Sequence, residues 1–278
     1  MPILHALVLA VLQGLTEFFP VSSSGHLALA PWLFGWDDFA GRPELAKAFD
    51  VALHLGTLAG AVAYFRRDLW RYGTAGLASI VDTERRSDTD ARIAWMLVVS
   101  TIPGALTGLF LADTLETLDD EFWLIGVLLV VFGLVLAWAD RLHGARPATT
   151  FGFRDAALMG IGQALALQPG VSRSGVTMSV SRWLGFDRDA AARLSFLMSI
   201  PIIAGAGLYS FVDVLGEGGV PAEVRPAFAV GMATAAVTGW LAVWATLRIV
   251  RTRNFDVFVI YRVALGVVVL GLVSSPWR

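Results

Sequence analysis

PVSSSGHL, residues 20–27, and PGVSRSGVT, residues 169–177, decide how the rest of the chain is read. Each interrupts a long apolar run with a proline, clustered hydroxyls and a glycine, residue types that stop one helix and cap the next. At an offset of 150 positions Gln13 meets Gln163, Leu15 meets Leu165 and Val21 meets Val171. Ser22, Ser24 and Gly25 then meet Ser172, Ser174 and Gly175. These are the two most polar interruptions of apolar sequence, and the pairing predicts that both lie inside a membrane protein and build one site.

Composition points the same way. Of 278 residues, 56% are hydrophobic and 16% charged, with a mean hydropathy of +0.67; soluble chains carry about 25% charge. A net charge of -2 gives no nucleic-acid footprint, so no nucleic-acid partner is expected. The absence of cysteine excludes disulfides and thiolate chemistry and leaves the compartment open. The N-terminus has neither a basic segment nor a small-residue cleavage pattern, so no removable signal peptide is expected. Trp70, Trp95, Trp123, Trp138 and Trp277 stand at segment ends, which fits anchoring at a membrane interface.

Two segments, 2–19 and 25–34, are each too short to cross a bilayer, which needs about 20 residues. Around Pro20 they read as a re-entrant hairpin, since broken backbone at membrane depth is tolerated only in a protein-lined or polar setting. Residues 156–168 and 171–184 repeat this around Pro169. Between and after the hairpins, residues 50–65, 93–111, 122–139, 194–212, 227–247 and 255–273 read as six spans, with a polar loop at 37–48 and the longest polar stretch at 66–92. Fifteen of the 21 Lys and Arg fall in the connections 66–92, 141–154, 182–193 and 248–253. The remaining connections are acidic, with Asp113, Glu116, Asp119, Asp120 and Glu121 in one and the stretch 213–223 in another. The positive-inside bias makes the basic group cytoplasmic. Both termini then lie outside, and the hairpins open from opposite faces. The expected fold is an all-α polytopic membrane protein, one domain over 1–278, with inverted repeats at 1–140 and 150–275 whose broken helices meet near the midplane.

Within the hairpins, Glu17 is an ionisable group in an apolar segment, costly unless paired or in a wet cavity. Gln13 lies four residues earlier on the same helix face; simple hydration of Glu17 at the interface is the plainer alternative. Arg173, between two serines, suits phosphate or diphosphate oxygens, and is also compatible with a structural Glu–Arg pair. His26 has the chemistry to attack phosphorus, act as base or protonate a leaving oxygen, with packing as its alternative. His54 reads as packing. From residues alone the reading ends at a membrane-embedded anion site with an acid, a histidine and an arginine.

QGLTEFFPVSSSGHL, residues 13–27, resembles the first signature of the undecaprenyl-diphosphate phosphatase family, the integral membrane enzymes associated with bacitracin resistance: an E/Q-x-x-x-E element running into a P-x-S-S-x-x-H turn. PGVSRSGVT resembles the second signature, P-G-x-S-R-S-x-x-T, and FDVALHLGTL from Phe49 and the S-x-P at Ser199 extend the likeness over nearly the whole chain. The resemblance implies hydrolysis of undecaprenyl diphosphate to the monophosphate, which recycles the lipid carrier of cell-wall synthesis. It implies a multi-pass protein of the bacterial inner membrane with a site open to the periplasm, and Mg2+ or Ca2+ as cofactor. The partners implied are the polyprenyl diphosphate lipid and the bilayer; a homodimer is left open. Glu17 matches the second glutamate, and Ser23 and His26 match the serine and histidine between which the family's nucleophile is disputed. His26 is the preferred nucleophile or proton carrier, with Ser23 its rival. Arg173 matches the diphosphate-binding arginine, with Ser172, Ser174 and Thr177 as hydroxyl neighbours, and Ser22, Ser24, Gly25 and Gly175 complete the expected binding set. Gln13 stands at the first E/Q position and is expected beside Glu17 as a metal ligand or orienting group. A flippase of a phosphorylated lipid and a non-catalytic lipid binder remain open as other classes.

Overall fold

Helix α1 (Ile3–Phe18) stops where Phe19 turns extended, the conformation forced on a residue before proline. After Pro20 the chain restarts as α2 (Ser23–Phe34). In this computed structural model, which describes residues 1–39, 41–118, 121–216 and 219–275, the pair forms a hairpin. His5 Nδ1, near its start, is 2.7 Å from Asp38 Oδ1, just past its end, and the His5 ring stacks on Trp36 at 3.8 Å. Sixteen and twelve residues reach about 24 and 18 Å at 1.5 Å per residue, short of the roughly 30 Å hydrocarbon layer. Helices α6 (Phe153–Leu165) and α7 (Arg173–Trp183) form the second hairpin. Its ends are tied where Arg146 N–H donates to Gly185 O at 2.9 Å and Asp187 N–H donates to Arg146 O at 3.0 Å.

The other long helices are α3 (Pro43–Val81), α4 (Thr89–Glu116), α5 (Phe122–Arg141), α8 (Arg188–Gly216), α9 (Arg225–Thr252) and α10 (Asp256–Val273). All six are long and apolar enough to cross a membrane. No strand occurs among the described residues. The four arginine-rich connections come together at one end. There Arg193 pairs with Asp68 at 2.9 Å, Arg188 with Asp140 at 2.5 Å and Arg251 with Asp189 at 2.6 Å, and Arg92 Nη2 donates to Thr149 O at 2.7 Å. Hairpin α6–α7 enters from that end. Hairpin α1–α2 enters from the opposite one, where Arg42 reaches Glu223 at 3.6 Å. The expected inversion of the hairpins is therefore present.

Two expected loops are shorter than read: the polar loop at 37–48 ends at Arg42, because α3 starts with Pro43, where proline suits a first helical turn. Residues 66–92 are not a long polar loop, because α3 runs unbroken to Val81 and leaves only residues 82–88 as a connection. The extension is amphipathic. Tyr72, Gly76 and Ser79 are buried on one face, with Ala94 of α4 close over Gly76, while Trp70, Leu77 and Ile80 are exposed on the other. Arginines spaced along such a helix resemble a loop in composition only. Asp119, Asp120, Glu217, Trp277 and Arg278 lie outside the described residues, and of Asp113, Glu116 and Asp213 only the backbone is described. Helices α5 and α10 approach closely where Gly126 faces Gly266; a Cβ on Gly266 would sit 2.7 Å from Gly126 O. Small residues allow such contact where lipid gives no hydrophobic drive.

Since the chain has no native cysteine, single-cysteine labelling tests the topology directly. Glu44→Cys and Ser87→Cys sit at opposite ends on exposed positions. An impermeant maleimide applied to intact cells with a permeabilised outer layer should label the first and spare the second. Labelling of both would mean that the two ends are not on opposite sides.

Candidate active site

Each hairpin turns through a serine held in an unusual backbone conformation. Ser22 has φ 73° and Ser172 φ 71°, the only non-glycine positive φ values among the described residues. An L-residue adopts this region at a cost that its surroundings must offset. Both serines are helix N-caps: Ser22 Oγ accepts from Gly25 N–H at 3.4 Å and Ser172 Oγ from Gly175 N–H at 3.2 Å. Further bonds cross between the turns. Gly170 N–H donates to Ser22 Oγ at 3.0 Å and Ser174 Oγ donates to Phe19 O at 3.1 Å. The two polar interruptions paired by sequence thus meet at one point.

A cavity of about 300 Å³ lies at this junction. Its polar wall holds Glu17, Ser23, Ser24, His54, Arg173 and Ser174, with Ser172 at the turn. Val51 of α3, Leu167 and the α8 residues Ile202, Ile203 and Ala206 form an apolar wall. Glu17 is 5% exposed and its carboxylate is fully engaged. Oε1 accepts from Arg173 Nη2 at 2.5 Å, and Oε2 accepts from Ser23 Oγ at 2.6 Å and Gln13 Nε2 at 3.1 Å. The carboxylate therefore orients both the serine hydroxyl and the guanidinium. Two charge-assisted bonds of this kind are each stronger than a neutral one.

His26 is placed differently from its sequence-based role. Its Nδ1 lies 2.6 Å from Ser22 O and its Nε2 2.7 Å from Tyr261 OH. A carbonyl only accepts, so Nδ1 carries the proton, and in the neutral ring Nε2 accepts from the tyrosine. The imidazole is not part of the cavity wall; it braces the Ser22 carbonyl from behind the turn. His54, read from sequence as packing, lines the cavity instead. Its Nδ1 is anchored on Asp50 O at 2.8 Å, one helical turn earlier, which leaves Nε2 3.7 Å from Glu17 Oε2.

Of the expected diphosphate-binding set, Ser24, Ser172 and Ser174 line the cavity. Ser22, Gly25 and Gly175 form the turns themselves, and Thr177 is fully buried with its hydroxyl on Arg173 O at 2.7 Å and Ser195 Oγ at 2.6 Å. Those four shape the turns rather than face the cavity. The expected cation pair fares similarly. Gln13 is fully buried, outside the cavity wall, and turns its amide N–H toward Glu17 while its Oε1 is unpaired. Among the described residues no group of three or more His, Cys, Asp or Glu stands together. Mg2+ and Ca2+ are held by several oxygens, commonly more than one carboxylate. One carboxylate already holding Arg173, with a buried amide behind it, does not fit a protein-built cation site; Gln13 fits the orienting role.

Sequence reasoning missed Arg262, the largest fully buried side chain among the described residues. It had a signal: an arginine in the middle of the last apolar span, where ionisable groups are expensive.

Glu17→Gln should leave the Arg173 guanidinium short of its counter-charge in a largely buried wall. The expected loss is on the order of 3 kcal/mol, read as a lower thermal midpoint in detergent. Adding Arg173→Met should recover part of it. An unchanged midpoint for Glu17→Gln would mean that the pair does not carry the junction.

Comparison with known proteins bears on the whole chain. Residues 6–268 match the family model described as bacitracin resistance protein BacA. A protein of Thermomicrobium roseum named undecaprenyl-diphosphatase is 44% identical over 283 residues, covering 99% of each chain. Undecaprenyl-diphosphatases of a Nocardioides species and of Desulforudis audaxviator are 45% identical with 98% of this chain covered and 47% identical with 96% covered. With both signatures gathered at one cavity and the match running almost end to end, this chain belongs to the bacitracin resistance protein BacA family.

Proposed function

We propose that this protein hydrolyses undecaprenyl diphosphate to undecaprenyl phosphate and inorganic phosphate, recycling the lipid carrier for peptidoglycan synthesis. One observation carries the reading: Ser23 Oγ stands 2.6 Å from Glu17 Oε2 beside the Arg173 guanidinium, in a cavity polar on one wall and apolar on the other. A diphosphate with a polyprenyl tail has the matching division. The head faces the serines and Arg173, and the tail leaves along Ile202, Ile203 and Ala206 toward lipid, since Ala206 is exposed. The protein sits in the bacterial inner membrane with its arginine-rich end in the cytoplasm and serves the periplasmic leaflet. Residues 1–140 and 150–275 are its two inverted repeats.

In this reading Ser23, not His26, is the nucleophile. Its Oγ attacks the terminal phosphorus as its proton passes to Glu17; the new O–P bond forms while the bridging P–O bond breaks, and undecaprenyl phosphate leaves with the electron pair. Water then hydrolyses the phosphoserine, releasing inorganic phosphate. Arg173 and the N-terminal ends of α2 and α7, which both meet at the cavity, offset charge on the transferred oxygens. His54 Nε2 faces the same space. His26 holds the Ser22 carbonyl, and with it the direction of Ser23.

Purified protein in detergent should release phosphate from a polyprenyl diphosphate; a transporter or passive binder would release none. Ser23→Ala should lower kcat at least about a thousandfold, whereas His26→Ala, which only loosens the turn, should cost roughly a hundredfold. Quenching with labelled terminal phosphate should place label on Ser23. Label on histidine, or a fully active Ser23→Ala, would sink the serine assignment.

Arg173→Lys keeps the charge but not the planar fork aimed at paired oxygens. The same assay should show kcat falling more than KM rises. Equal kcat for the lysine form would reduce Arg173 to a point charge.

A further inference from the structure

Arg262 projects from the middle of α10 and is fully buried, and the partners of its guanidinium among the described residues are backbone carbonyls. Nη1 donates to Pro20 O at 3.1 Å, and Nη2 to Gly170 O at 2.9 Å and Val171 O at 3.0 Å. A longer contact from Nε reaches Leu129 O at 3.4 Å. One guanidinium thus gathers carbonyls from the first turn, the second turn and α5. Glycine at 175 admits it: a Cβ there would lie 2.6 Å from Arg262 Nη1. The preceding residue, Tyr261, holds His26 and through it the Ser22 carbonyl.

A trans peptide points its C=O and N–H in opposite directions. Arg262 holds the Val171 carbonyl, so the N–H of the same peptide unit, on the cavity-lining Ser172, points away from the guanidinium. The Glu17–Arg173 ion pair and the Ser22–Gly170 bond require the same registration of the turns. We infer that Arg262 is a positioning residue for the proposed phosphoryl transfer. It sets the two half-sites against each other and aims the Ser172 amide at the transferred group, without touching substrate itself. Buried arginine tolerates membrane depth here because its donors are spent on carbonyls the chain breaks would otherwise leave unpaired.

The inference rests on the hydrolase reading, and two readouts keep them separable. Arg262→Lys supplies the charge without the fork, and Gly175→Ala keeps every cavity group while pressing on Nη1. Kinetics are taken per folded molecule, with the folded fraction measured by size exclusion and thermal midpoint. Both variants should lose at least about tenfold in kcat with KM within about threefold, because amides aimed at developing charge act in the transition state. A merely structural role would lower the midpoint and leave kcat of the folded fraction unchanged, which would overturn the proposal. Hydrogen exchange over residues 20–25 and 169–175 should accelerate in both variants, with the far ends of α2 and α7 still protected. Unchanged exchange there would overturn positioning even if the wild-type protein released no phosphate and the hydrolase reading had itself failed. Should Arg262→Lys not fold, Gly175→Ala decides alone.

Discussion

Breaking a helix at membrane depth strands carbonyls and amides that lipid cannot solvate, and this chain breaks two. Neither turn satisfies itself. Ser22 Oγ takes an amide from the second turn, Ser174 Oγ gives a bond to the first, and Arg262 donates to the Pro20 carbonyl of the first and to the Gly170 and Val171 carbonyls of the second. Each interruption is therefore tolerable only because the other is beside it. The strained serine backbones persist for the same reason, since caps, the brace from His26 and the crossing bonds together over-determine them.

The two turns share a backbone but differ in side chains, and that difference makes chemistry. In the first half the position before the turn is Glu17; its counterpart at the same offset is Leu167. In the second half Arg173 occupies the place that Ser23 holds in the first. A symmetric pair of acids or cations at this distance would repel; acid from one half and cation from the other attract and orient the serine. The apolar counterpart positions, joined by α8, leave one wall greasy. A lipid carrying a charged head fits such a divided cavity.

Opposite insertion of the hairpins follows from the ends of the helices. Arginine-rich connections gather at one end and pair with Asp68, Asp140 and Asp189, which holds α3, α5, α8 and α9 together there. Close backbone contact, as between Gly126 and Gly266, supplies cohesion that apolar side chains in lipid do not. With the frame fixed at that end, the turns are carried to the same depth from the two sides.

Sequence alone determined the class, the six spans, the two hairpins and their opposite entry, because hydropathy, helix-stopping prolines and arginine placement act locally and are written in order along the chain. It also singled out Glu17 and Arg173, as ionisable groups where apolar sequence made them costly, while Ser23 stood out only through the family resemblance, as the rival of His26. It could not say that His26 faces Tyr261 rather than the cavity, that His54 turns toward Glu17, or that Gln13 gives its amide to that carboxylate. Nor could it find that α3 continues through residues 66–81, where the burial of Tyr72, Gly76 and Ser79 outweighs a loop-like composition. Each of these depends on which side of a turn or helix a neighbour distant in sequence approaches. Spacing fixes the face of one helix, but the partner across that face is chosen only when Arg262, 242 residues from Pro20, is packed against it.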